Sequence, residues 1–212
     1  MSLFSFNTVL LGALLLASTA AAQTLEFTEA SIAQVQGAID EGALSSERLV
    51  ELSLARIAAY DDSGPAVNAV IYLNEDALEQ ARSLDRERLA SGRRSALHGI
   101  PVVLKDNIDT ATMPTTAGSF MLEGSLPPDD AFLTRQLLDA GAIILAKVNM
   151  SEFASGDDLS SLGGPTYNPH DTDRSPSGSS GGTGVAIAAG YAMLGLGTDT
   201  GGSVRGPSSA NG

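Results

Sequence analysis

A Gly- and Ser-rich segment, residues 175–212, holds the serines that could act as nucleophiles. Ser179 and Ser180 precede two glycines, and an apolar, helix-forming stretch follows at residues 185–193. This order places hydroxyl groups and free backbone N–H groups at the positive end of a predicted helix. A flexible linker would not carry such a helix. The segment is therefore a candidate site for nucleophilic chemistry.

A serine nucleophile needs a base within hydrogen-bond reach. Ser180 is central in a G-x-S-x-G pattern, which favours an α/β-hydrolase esterase as an alternative function. That motif requires a strand directly before it and a histidine after it, whereas residues 171–177 are polar and His98 and His170 both lie upstream. The glycines also lack the spacing of a nucleotide-binding motif, so we predict no cofactor.

The chain has only two lysines, Lys105 and Lys147, and each ends a short apolar run typical of a buried strand. A predicted helix, residues 130–138, separates the two runs, and this order predicts an α/β architecture with a largely parallel sheet. Ligand chemistry in such sheets gathers at the C-terminal ends of the strands. Because burial lowers the pKa of a lysine, either residue could be the base.

The region before these strands predicts helices. Apolar residues recur at helical spacing in two segments between residues 25 and 60, the second opening at Ser45 or Ser46, and again between residues 75 and 89. A break at Gly64 and Pro65 leads us to predict a helical region at residues 23–66 and the first part of a catalytic domain at residues 67–212.

Several strings together resemble the amidase signature hydrolases, in the same order and spacing. They cover residues 97–212: GIPVVLKDN, AKVNMSEFA, GGPTYNPHD, SGSSGG and GTDTGGSVRGPSSANG. The resemblance implies an α/β amidase signature fold with a largely parallel or mixed sheet covered by helices. It also implies hydrolysis of a carbon–nitrogen amide bond in a small or lipid-like carboxamide.

The same resemblance implies a Ser-Ser-Lys triad, with Lys105 as base, Ser179 as bridging serine and Ser203 as nucleophile. In the family the bridging serine follows a cis peptide bond, which here is Gly178-Ser179. Ser180 is predicted to support this triad. Gly201 and Gly202 give the loop of residues 200–203 the freedom to turn backbone N–H groups toward an oxyanion. The predicted donors are the N–H groups of Thr200, Gly201, Gly202 and Ser203.

Asp199 and Arg205 flank this loop, and we predict an ion pair that holds it rather than a catalytic role for either. Asp106 and Asp109 show no metal-ligand pattern, so we predict no metal.

Composition limits the partners. The chain has 212 residues, no cysteine and a formal net charge of -13, which opposes nucleic acid as a partner. The resemblance implies a small-molecule amide substrate instead. Residues 1–22 resemble a cleaved signal peptide, which predicts export to the periplasm or medium and no stable membrane span after cleavage.

The ending GPSSANG predicts a truncated catalytic domain, and we expect the full-length protein to form a homodimer. An inactive fragment or binding protein that retains the motifs is the remaining alternative.

Overall fold

A computed structural model describes residues 29–156 and 159–212. The predicted signal peptide lies outside these residues. In the described ranges, no helix has the length and apolar character that a bilayer crossing requires.

A four-stranded mixed sheet forms the centre of the molecule. The strands of the described residues are β1 Val70–Leu73, β2 Pro101–Lys105, β3 Ile143–Val148, β4 Leu159–Ser160, β5 Gly164–Pro165 and β6 Leu194–Leu196. The central sheet has the order β1-β3-β2-β6, in which β2 runs parallel to both β3 and β6, and β1 pairs antiparallel with β3. β4 and β5 form a separate two-stranded hairpin. The predicted α/β class and the parallel pairing of the two lysine-bearing strands are confirmed.

Helices cover both faces of the sheet. The α-helices of the described residues are α1 Ile32–Asp40, α2 Ser46–Tyr60, α3 Ala77–Ser91, α4 Phe132–Asp139, α5 Gly181–Ala188 and α6 Arg205–Asn211. One face of the sheet packs against α2, α3 and α5, and the other against α4. Val50 and Ile57 of α2 share the core cluster of Val103 in β2, so the predicted N-terminal helical region is part of the same core.

The ends of the helices follow their capping residues. Ser45 caps α2 by accepting the Arg48 N–H at 3.0 Å, at the predicted start. The prediction of a helix as far as Met193 is wrong, because α5 ends at Ala188. Gly190 has a φ of 70°, and the Tyr191 N–H bonds to the Ala186 carbonyl, which is a glycine-terminated helix end.

Candidate active site

Lys105 is the last residue of β2 and its side chain is fully buried. Its Nζ lies 2.6 Å from Ser179 Oγ and 2.9 Å from Thr198 Oγ1. Burial lowers the pKa of Lys105 to about 8, although the Asp199 carboxylate acts in the opposite direction. Lys105 can therefore be neutral at mildly basic pH, and a base must be neutral to accept a proton.

Ser179 is fixed by its main chain. The Gly178-Ser179 peptide bond is cis, at the position that the resemblance implied, and the Ser179 carbonyl accepts the Ser151 N–H at 3.1 Å. α5 begins two residues later and packs directly on the end of β3, where a Cβ at Gly182 would lie 2.4 Å from the Asn149 carbonyl oxygen. The close approach of α5 to the sheet requires glycine there and brings Ser179 to Lys105.

Ser203 lies in the turn before α6 and is half-buried. Its carbonyl accepts the Ser180 N–H at 3.1 Å, which places its backbone beside the two neighbouring serines. Its Oγ makes no hydrogen bond within the described ranges. The structure thus joins Lys105 and Ser179 directly and brings Ser203 close through its backbone.

The predicted oxyanion loop differs from expectation at Gly202. Its N–H donates to Asp199 Oδ1 at 2.7 Å, because this carboxylate caps the turn that leads into α6. Among the described residues, the N–H groups of Thr200, Gly201 and Ser203 have no acceptor. Three of the four predicted donors are thus available, and Gly202 is not.

The predicted ion pair between Asp199 and Arg205 is present, with Arg205 Nε 3.1 Å from Asp199 Oδ2. The Arg205 side chain is exposed, while Asp199 also accepts the N–H groups of Val204 and Arg205. The Arg205 hydrogen bond and these backbone bonds lower the pKa of Asp199. Asp199 therefore stays ionised and anchors the loop.

Thr198 is a site residue that the sequence reasoning missed. Its Oγ1 contacts Lys105 Nζ and also accepts from Asn107 Nδ2 at 3.0 Å. Ser180 Oγ bonds to the Thr198 main chain, 3.3 Å from its nitrogen and 3.4 Å from its oxygen. Ser180 thus holds the strand end that presents Thr198, and no strand directly precedes Ser180, so the esterase elbow is absent.

Both histidines serve structural roles. His98 is buried, and its ring nitrogens contact the Leu84 carbonyl at 2.9 Å and the Arg94 N–H at 3.2 Å. His170 Nε2 lies 3.0 Å from the Asn211 carbonyl. Neither histidine contacts Ser180, so a histidine-based alternative has no support in the described residues.

Lys147, the second candidate base, lies on the other face of the sheet. It is paired with Leu104 in the register, whereas Lys105 is paired with Val148. Its Nζ contacts Asp106 Oδ1 at 3.2 Å, and both side chains are fully buried. No serine contacts Lys147 among the described residues, so the geometry favours Lys105 as the base.

Comparison with known proteins assigns the family. The family model described as Amidase matches residues 48–212. A glutamyl-tRNA(Gln) amidotransferase subunit of Acidothermus cellulolyticus is 48% identical over 171 residues, covering 80% of this chain and 33% of that protein. The chain therefore belongs to the amidase family.

Solved structures of amide hydrolases are similar to this chain. The peptide amidase of Stenotrophomonas maltophilia has a TM-score of 0.83 and 46% identity, over 86% of this chain and 39% of that one. A fatty acid amide hydrolase has a TM-score of 0.81 and 26% identity, over 88% of this chain and 33% of that one. The chain thus spans about a third of the length of the curated relatives it matches.

Proposed function

We propose that this chain carries the catalytic relay of an amide hydrolase, with Lys105 as base, Ser179 as bridging serine and Ser203 as nucleophile. The contact of 2.6 Å between Lys105 Nζ and Ser179 Oγ in a buried setting carries the proposal. Membership of the amidase family supports the reaction class.

In the proposed reaction, neutral Lys105 accepts a proton from Ser179, and Ser179 accepts one from Ser203. Ser203 Oγ then attacks the amide carbonyl and forms a carbon–oxygen bond. The N–H groups of Thr200, Gly201 and Ser203 stabilise the oxyanion, a contribution of about 3 to 4 kcal/mol per donor. Ser179 returns a proton to the leaving nitrogen, the carbon–nitrogen bond breaks, and water hydrolyses the acyl-enzyme.

Labelling with a fluorophosphonate tests the relay, because this probe reacts with an activated serine. The purified chain should be labelled at Ser203, identified by mass spectrometry of the modified peptide. Ser203→Ala and Ser179→Ala should not be labelled, whereas an esterase that used Ser180 would lose labelling in Ser180→Ala. A folded chain without any labelling would favour an inactive fragment or binding protein.

The acyl and amine groups of the substrate define a second test. We propose a small or lipid-like carboxamide, and ammonia release from primary amides of increasing chain length measures the preference. Failure to release ammonia from any carboxamide, in a chain that is labelled at Ser203, would contradict amide hydrolysis.

Amide transfer is a second candidate, because the relative with 48% identity is named as part of an amidotransferase. The net charge of -13 opposes direct contact with tRNA, which favours hydrolysis. An electrophoretic mobility assay with tRNA distinguishes the two, since hydrolysis requires no binding.

We propose further that residues 1–22 direct export, which would separate the protein from tRNA. Fractionation of expressing cells and N-terminal sequencing of the product test this. Recovery from the cytoplasm with Met1 intact would contradict it.

A further inference from the structure

Asp106 and Lys147 form a buried ion pair that the proposed relay does not use. Asp106 Oδ1 accepts no hydrogen bond in the described ranges, and its compensation is Lys147 Nζ at 3.2 Å. Without Lys147 this oxygen would be a buried, uncompensated charge.

The pair holds residues 114–118 against the ends of β2 and β3. Lys147 Nζ donates to the Pro114 carbonyl at 2.9 Å and to Thr115 Oγ1 at 2.8 Å. Asp106 Oδ2 accepts from Thr116 Oγ1, from the Thr116 N–H and from the Gly118 N–H. Every residue of this segment except Ala117 is thus bound by one of the two charged side chains.

Ala117 itself is bound to the main chain of Asp106 and transmits the restraint. Its N–H donates to the Asp106 carbonyl at 3.0 Å, and its own carbonyl accepts the Phe153 N–H at 2.9 Å. Ala117 and Phe153 have φ values of 52° and 49°, a conformation that persists only where the surroundings fix it.

The segment supports the loop that holds Ser179. Ser151, two residues before Phe153, donates its N–H to the Ser179 carbonyl. A continuous series of contacts therefore runs from Lys147 through Asp106 and Ala117 to Ser151 and Ser179.

We propose that Asp106 and Lys147 are positioning residues for Lys105 and Ser179. The ion pair fixes residues 114–118, and this segment fixes the loop that positions Ser179 Oγ relative to Lys105 Nζ. The inference rests on the proposed relay, because the pair acts only through these two residues.

Lys147→Met is the primary test, with saturation kinetics of fluorophosphonate labelling as the readout. The rate constant of acylation should fall at least about 10-fold while the concentration for half-saturation stays close to that of the parent, because geometry and not probe binding is lost. Leu137→Ala is the matched control, since Leu137 is buried on the same face of the sheet, in the apolar cluster that contains Leu104. At equal stability, this control should acylate at the parental rate.

The titration of Lys105 gives a readout that needs no activity. When lysine Cε is labelled with carbon-13, the NMR spectrum of the parent shows two side-chain signals, and that of Lys147→Met shows one, which belongs to Lys105. The pH at the midpoint of this signal's titration is the Lys105 midpoint. Lys105 faces the Asp199 charge and the hydroxyls of Ser179 and Thr198, and Lys147 faces Asp106 and the Asp109 charge. Because Lys147→Met removes a positive charge and leaves the Asp106 carboxylate, which accepts three hydrogen bonds, the pKa of Lys105 should move to higher pH.

The double variant Asp106→Asn with Lys147→Met keeps the test valid if the single variant does not fold. It removes both charges, so the Lys105 midpoint should return to the parental value while acylation stays reduced. Arg48→Met removes an exposed charge and should change neither quantity.

An acylation rate constant in the double variant equal to that of the parent would overturn the proposal. Equal losses of this rate constant in Lys147→Met and Leu137→Ala, at matched stability, would also overturn it. If the parent chain is not labelled, the proposed function is wrong. The Lys105 midpoint in Lys147→Met then decides the inference separately, and an unchanged midpoint overturns it.

Discussion

Lys105 is the last residue of β2 and Lys147 is the last but one of the neighbouring parallel strand β3, and both are fully buried. Their surroundings differ. Lys105 meets the hydroxyls of Ser179 and Thr198, whereas Lys147 meets the carboxylate of Asp106. Burial lowers the pKa of both lysines, and the Asp106 carboxylate in contact with Lys147 opposes this change. A contacting carboxylate favours a charged, structural lysine, whereas hydroxyl partners allow a lysine to release its proton and act as a base. The partner, more than burial, separates the two roles.

The largest difference should appear in acylation. Lys105→Ala should lower the rate of fluorophosphonate labelling by at least about 1,000-fold, because the serine pair then has no base. Labelling rates at pH 8 measure this. A Lys105→Ala chain that retains a tenth of the parental rate would contradict the assignment.

Stability should change in opposite directions. Lys147→Met should lower the free energy of unfolding by about 3 to 5 kcal/mol, because it leaves Asp106 buried and unpaired. Lys105→Met should raise it by about 1 to 2 kcal/mol at pH 7, because folding depresses the pKa of Lys105 from 10.5 to about 8 and so disfavours the charged form. Urea denaturation of both variants checks the signs, and two losses of equal size would contradict the contrast.

The pH dependence follows from the same depressed pKa. Acylation should rise with pH through about 8 and then level, since the active base is neutral Lys105. The parental free energy of unfolding should rise between pH 8 and 10.5, where the unfolded chain binds the additional proton.

Thr198→Val removes an acceptor that favours charged Lys105, so the midpoint of the pH profile of acylation should move to lower pH and the plateau rate should fall several-fold. A midpoint that moves to higher pH would exclude this role for Thr198.

The smallest effects should come from the histidines. His170→Ala should retain most of the labelling rate, because its Nε2 is bound to the Asn211 carbonyl rather than to a serine. A rise of activity through about pH 6 to 7 that disappears in His170→Ala would instead require a site rebuilt around histidine.

Much of the central fold could be predicted, because apolar runs ending in Lys105 and Lys147 are direct signals of buried strands. β1 was not predictable from the sequence, since its four residues, VIYL, are short and pair antiparallel with a strand about 75 residues later. The predicted end of α5 is wrong, although Gly190 is a signal in the sequence, because a glycine just after a helix favours termination.

The site residues also include some that could be predicted from the sequence and others that could not. Motifs alone placed Lys105 and Ser179 in one site, and their contact is present. Thr198 could not be found, because a threonine in a Gly-rich loop has no distinguishing pattern until the register of β2 and β6 brings it to Lys105. The partner of Lys147 was equally hidden, since Asp106 follows Lys105 in sequence but contacts the other lysine.

The complete burial of both lysines has a practical consequence for covalent chemistry. Amine-reactive esters find no accessible lysine side chain on the folded protein, so they reach Lys105 or Lys147 only when the sheet opens. Pulse acylation with such a reagent, read by peptide mass, therefore reports how often the centre of the molecule is exposed. The protein contains its own probe of opening, with one reactive amine on each face of the sheet.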